Sequence, residues 1–145
     1  MEITGTISAI LREKGGAIHS IAPNATVYEA IDVMATRNIG ALLVMDGDHL
    51  AGIFSERDYA REVVLKGRTS KTSSVSEVMS TKLITVTCDH TVEECMNLMS
   101  GKRIRHLPVL EKGKVLGILS IGDLVQETIN YQRFLINQLE SYIQS

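Results

Sequence analysis

One polar signature occurs twice and carries whatever chemistry the chain has. Gly52-Ile53-Phe54-Ser55-Glu56-Arg57-Asp58 and Gly117-Ile118-Leu119-Ser120-Ile121-Gly122-Asp123 share the pattern Gly-Ile-x-Ser-x-x-Asp. Each copy sits where an apolar strand pattern gives way to a helical one. A local reading makes Ser55 and Ser120 N-caps, with Asp58 and Asp123 at the third helical position. A ligand reading uses the same geometry. A helix N-terminus offers unpaired N–H groups to a phosphate, and a neighbouring carboxylate can accept both hydroxyls of a ribose diol. On that reading the glycine before the pair lets a ligand approach the backbone.

Other chemistries fare worse. Cys88, His90 and Cys95 lie within eight residues, but their spacing is not that of common zinc sites and no fourth ligand is evident. Cys95 falls on an apolar helix stripe, where a buried thiol is routine. A nucleophilic enzyme needs a base beside its Ser or Cys, and an oxyanion site. Ser and Asp repeat without a repeated His, which points to binding; no catalytic residue, catalytic cofactor or metal site is expected. His49 reads as a turn residue, and His19 as strand filler or site lining. Lys102, Arg103, Arg105 and His106 form a short basic run, which alternation along a strand would split between two faces.

The elements that must hold these residues also come in two copies. Shifted by 65 positions, the chain overlays itself without a gap, and 11 of the 41 pairs from Ser20 to Ala60 are identical, the mark of a duplication. In the first copy His19 to Ala22 reads as a short strand ended at Pro23. Thr26 and Glu29 make a Thr-x-x-Glu capping box. Val27, Ala30, Ile31 and Met34 form one helical stripe. Ile39 to Met45 is a buried strand, Asp46-Gly47-Asp48 a turn, and Leu50 to Phe54 the return strand. A helix follows from Glu56 to about Lys66. The second copy has a capping box at Thr91 and Glu94, strands at Arg105 to Leu110 and Val115 to Leu119, and a helix from Ile121. Arg68 to Ser76 reads as a linker. A unit this small cannot cover both faces of its strands, so two are expected to share a core.

The ends lie outside the duplication. Ile7, Ile10 and Leu11 share one face of a short helix that stops at Gly15-Gly16. The last helix keeps an apolar stripe through Leu124, Val125, Thr128, Ile129, Leu135, Ile136, Leu139 and Ile143. A stripe that outruns its repeat needs a partner, either the N-terminal helix or a second subunit. Fifteen basic against seventeen acidic residues give a formal charge of -2 over 145 residues, so no global field favours nucleic acid or an acidic membrane. Aromatics are 4% with no Trp, too few for a surface of stacked bases. No apolar run reaches the ~18 residues of a membrane span. Two cysteines and no basic, apolar leader fit a reducing cytoplasm.

The duplicated pattern resembles a pair of CBS domains, the regulatory module first described in cystathionine beta-synthase. The resemblance rests on Pro23-Asn24-Ala25-Thr26-Val27, on Arg103-Ile104-Arg105-His106-Leu107-Pro108-Val109, and on both Gly-Ile-x-Ser-x-x-Asp segments. Ser55-Glu56-Arg57-Asp58-Tyr59 is also similar to stand-alone bacterial CBS-pair proteins. The resemblance implies an α/β (α+β) fold of two β-α-β-β-α repeats packed sheet to sheet about a pseudo-two-fold axis, with a helical extension at each end. The corresponding division is an N-terminal segment 1–15, repeat 1 over 16–67, a linker 68–76, repeat 2 over 77–130 and a C-terminal extension 131–145.

The resemblance also implies a regulatory sensor of an adenine nucleotide (AMP, ATP or an NAD-type ligand), not an enzyme, held in clefts between the repeats. Carried over, one cleft joins Ser55, Arg57 and Asp58 to Leu83, Ile84, Arg105 and His106. The other joins Ser120, Gly122 and Asp123 to Ile18, His19, Gly40 and Ala41. Arg57, Arg105 and His106 would give the first cleft the better phosphate site; the second has Gly122, Gly40 and Ala41 in their places. The expected partners are the nucleotide, a second copy in a homodimer and a regulated protein. The alternative is a nucleic-acid-binding or purely structural dimerisation module.

Overall fold

Turn chemistry fixes where each hairpin folds back. Gly47 takes φ 61° between β2 (Ala41–Asp46) and β3 (His49–Ser55). Lys112 and Gly113, at φ 51° and 78°, make the matching turn between β4 (His106–Glu111) and β5 (Lys114–Ser120). In the second turn, two successive positive φ values match the right-handed twist of the flanking strands. Each hairpin pairs antiparallel, and its register slips at the same place, after Val44 in one and after Val109 in the other. A computed structural model describes residues 5–144. It divides into two units, one being Ile18–Ile84, the other the chain up to Ala17 together with the chain from Thr85 on.

In the 18–84 unit, β1 (Ser20–Ile21) runs parallel to β2, completing a three-stranded sheet in the order β1-β2-β3. Helix α2 (Val27–Arg37) starts at Thr26, whose side chain accepts from the Glu29 amide, and ends at Asn38 in the left-handed conformation. Its stripe, Val27, Ala30 and Met34, is buried with Leu42, Val44 and Phe54 of the sheet and with Val63, Val75 and Val78. Val75 and Val78 belong to the short helix α4 (Val75–Val78).

The other unit repeats the plan. Helix α5 (Val92–Lys102) is capped by Thr91 and stops at Arg103 in the left-handed conformation. Val92, Cys95 and Met99 are buried, as are Leu107, Val109, Val115 and Leu119 of the hairpin. Helix α6 (Ile121–Gln144) is 24 residues long, and α1 (Ile7–Glu13), capped by Thr6, packs against it. Ile7 and Ile10 of α1 are fully or nearly buried. Ahead of α1, the Gly5 amide donates to Glu127 Oε1 at 2.6 Å.

Several expected elements differ. The strand opening the second repeat is reduced to one bridge, Val86 against Val109, because the chain turns at once and the His90 amide bonds back to the Thr87 carbonyl. The helix expected from Glu56 to Lys66 is α-helical only over α3 (Glu56–Asp58) and then π-helical over Tyr59–Val64. The wider turn buries Val63 and leaves Val64 and Leu65 outside. The reciprocal capping box forms at Thr91; at Thr26 the structure gives the Glu29 amide bond alone. The stretch read as a linker is hydrogen-bonded into its unit, the Val27 amide to the Ser73 carbonyl and the Val75 amide to the Ala25 carbonyl.

Candidate functional site

The two signatures build the same corner. In the 18–84 unit Ser55 ends β3 and caps α3, its Oγ accepting from the Asp58 amide at 3.2 Å. The Asp58 carboxylate folds back: Oδ2 accepts from the Ser55 amide at 2.9 Å and from the Ser55 hydroxyl at 3.0 Å. In the other unit Ser120 ends β5, and its Oγ accepts from the Asp123 amide at 3.1 Å. Asp123 Oδ2 accepts from the Ser120 amide at 2.8 Å. The capping reading of the sequence is therefore correct as geometry, and its effect is to lock a carboxylate beside a strand end and a helix start. A carboxylate so oriented needs little further ordering to receive a ligand's hydroxyls.

The remaining candidates fall around these corners. Arg57 and Gly122 occupy the same exposed place on the first turn of their helices. Gly40 accepts from the Glu56 amide through its carbonyl at 3.0 Å, and Ala41 lies opposite Ser55 in the register. In the other unit the Arg105 carbonyl accepts from the Ile121 amide at 3.0 Å, and His106 lies opposite Ser120. Gly40 and Ala41 thus flank Ser55, and Arg105 and His106 flank Ser120. Arg105 precedes β4, so strict strand alternation does not set its direction relative to His106. The His19 carbonyl accepts from the Leu43 amide at 3.3 Å, beside an exposed Ile18. Leu83 and Ile84 are half-buried in an irregular stretch of the 18–84 unit.

Two residues that sequence reasoning missed also reach the carboxylates. Ser80 pairs with Ile53 in both directions, its amide to the Ile53 carbonyl at 2.8 Å and the Ile53 amide to its own carbonyl at 3.0 Å. Its hydroxyl donates to Asp58 Oδ1 at 3.0 Å. In the other unit Lys14 does the equivalent work. Its Nζ donates to the Ile118 carbonyl at 2.8 Å and to Asp123 Oδ2 at 2.7 Å. Ile118 and Asp123 stand 65 positions after Ile53 and Asp58, so the same two acceptors are served in each unit. The signal was available: shifted by 65, Lys14 and Gly15 fall on Met79 and Ser80. With no identical residue there, the alignment gave no reason to extend the duplication that far.

Lys14 brings to the Asp123 corner a cation that the sequence reading did not place there. Burial works to raise the Asp123 carboxyl, but the Lys14 hydrogen bond, the Ser120 amide and the ammonium charge outweigh it and hold the carboxyl below its usual range.

The signature glycines are also reassigned. A Cβ on Gly52 would lie 2.7 Å from the Ser80 carbonyl oxygen and 2.8 Å from Met79 Sδ; one on Gly117 would lie 2.9 Å from Leu11 Cδ2. These glycines admit the chain segment that covers each corner, which accounts for them without a ligand.

For the remaining sequence candidates, burial raises the Cys95 thiol to about 11, with Glu94 adding to the effect, and no group of three metal-ligating side chains forms among the described residues. No helix among them is long and apolar enough to cross a membrane.

Comparison with known proteins agrees with the duplication. The CBS domain family profile matches residues 16–65 and 75–130. The chain is 39% identical over 148 residues to the mitochondrial CBS domain-containing protein CBSX3 of Arabidopsis thaliana, covering 96% of this chain and 72% of that one. It is 36% identical over 107 residues to the CBS domain-containing protein YhcV of Bacillus subtilis, covering 74% and 76%. Among solved structures, a protein of Burkholderia ambifaria MC40-6, named for signal transduction and for its CBS domains, superposes with a TM-score of 0.83 at 49% identity. That match covers 86% of this chain and 94% of the other. With two matched segments, each ending in a Ser-Asp corner, the chain belongs to the CBS-domain family as a tandem pair of CBS repeats.

Proposed function

We propose that this CBS pair is a regulatory module, not an enzyme, that binds an adenine nucleotide (AMP, ATP or an NAD-type ligand) and passes its occupancy to a partner protein. The observation that carries the reading is the duplicated carboxylate. Asp58 and Asp123 are each fixed by the amide of their own signature Ser, ready to accept from a ribose diol. Such bonds to a charged group are worth about 1.5–3 kcal/mol together. The proposed contacts are the two sets expected from the family: Ser55, Arg57 and Asp58 with Leu83, Ile84, Arg105 and His106, and Ser120, Gly122 and Asp123 with Ile18, His19, Gly40 and Ala41. The repeats are proposed to span 16–67 and 77–130, and the module to work as a homodimer in the cytoplasm. A ligand can regulate only if it binds one conformation better than another.

Isothermal calorimetry and thermal melting with AMP, ATP and NAD test this. Saturating ligand should raise the melting temperature, since it binds the folded state alone. Asp58→Ala and Asp123→Ala should each weaken binding at their own corner by roughly tenfold to a hundredfold. No shift with any adenine ligand, together with retardation of RNA in a gel, would favour a nucleic-acid module instead.

A further inference from the structure

The two corners are covered by different chemistry. Asp58 meets a neutral hydroxyl, Ser80 Oγ at 3.0 Å, whereas Asp123 meets an ammonium, Lys14 Nζ at 2.7 Å. The Lys14 and Asp123 side chains are 35% and 23% exposed, so a ligand can reach the pair from solvent. Lys14 stands at the end of α1 and is followed by Gly15 and Gly16 at φ 78° and 72°. A Cβ on either glycine would meet nothing within 4 Å, so no neighbouring group crowds the space beside them. The helix itself stays anchored by Ile7 and Ile10, which are buried. Lys14 can therefore change its partner while α1 remains docked.

A neutral diol arriving at Asp123 must compete with that ammonium and offers it only neutral hydroxyl oxygens in return, weaker partners than a carboxylate. A ligand that carries an anionic group as well as the diol satisfies both halves of the pair. We infer that Lys14 is a specificity-determining residue of the Asp123 corner, favouring a nucleoside phosphate over the bare nucleoside. The inference rests on the adenine-nucleotide reading above and goes further by naming a residue that selects for the phosphate. The Asp58 corner, closed by the Ser80 hydroxyl, makes no such demand through its covering segment.

Calorimetry with AMP and adenosine tests this in an Asp58→Asn background, which restricts strong binding to the Asp123 corner. Melting curves without ligand confirm that each variant is folded. Lys14→Met should lower the ratio of AMP to adenosine affinity by about fivefold, the size expected of a partly exposed ion pair. It should do so in part by strengthening adenosine binding. Lys14→Arg should hold the ratio within about twofold. A ratio unchanged in Lys14→Met, with binding intact, overturns the role of Lys14 and leaves the nucleotide reading standing. Failure of the wild-type protein to bind either ligand overturns both. If Asp58→Asn does not fold, a two-site isotherm on the Asp58 protein with and without Lys14→Met reads the same ratio.

Discussion

Asp123, proposed above to receive a ligand, also bears on stability. Its carboxyl lies below the ordinary range despite burial that opposes the charge, chiefly because Lys14 donates to it. A depressed carboxyl stabilises the fold fully above its unfolded value, about 3.9, and loses that contribution as pH falls through the lower folded value. The pair is partly exposed, so screening by solvent limits it to ~0.5–1 kcal/mol. Lys14→Met should therefore melt at lower temperature than wild type at neutral pH, and the gap should close as pH drops below about 4. Melting curves across pH 2.5–7 check this; a gap independent of pH would mean the lysine acts through its aliphatic stem.

At the scale of elements, each corner depends on a segment laid across its hairpin, and the glycines measure how tightly. In Gly52→Ala the new methyl meets backbone, the Ser80 carbonyl oxygen at 2.7 Å; in Gly117→Ala it meets the tip of a flexible leucine at 2.9 Å. Backbone cannot yield as a rotamer can, so Gly52→Ala should cost about 1–3 kcal/mol and Gly117→Ala clearly less. Urea unfolding of both variants decides it, and equal losses would refute the distinction. Much of this level is legible in the sequence. Periodicity locates α2, α5 and the two hairpins, because their apolar faces are buried and their caps and turns are local. The covering segments are not legible in the same way. One binds through backbone bonds, such as the Ser80 amide to the Ile53 carbonyl, which any residue can make; the other binds through a lysine more than a hundred residues from its acceptors. The π-helical turn likewise leaves no signature in Tyr59–Val64. The Ser-Asp pair was readable for the opposite reason: it needs those side chains at that spacing, and it occurs twice.

For the whole molecule, the open question is what covers the far half of α6. The stripe read from the sequence is divided by the fold. Leu124 is buried, while Leu135, Ile136, Leu139 and Ile143 are 42%, 53%, 63% and 80% exposed. A row of large apolar side chains at helical spacing is the usual seam of a helix–helix contact, which supports the proposed homodimer. Leu139→Glu should convert the dimer to monomer while leaving each protomer folded, as read by sedimentation velocity and circular dichroism. A wild-type protein that sediments as a monomer at micromolar concentration would overturn the dimer.

The covering segment of the Lys14 corner precedes the corner itself by more than a hundred residues. Residues 18–84 are contiguous, so the contacts within that unit need no segment from elsewhere in the chain. The other unit does: Ile7, Ile10 and Lys14 belong with β5 and α6, more than a hundred residues later. Helix α1 is made before the β5 and α6 residues on which it is seated. The duplication thus yields two units of like plan but unlike order of assembly, one closed by local contacts, the other by a loop of more than a hundred residues.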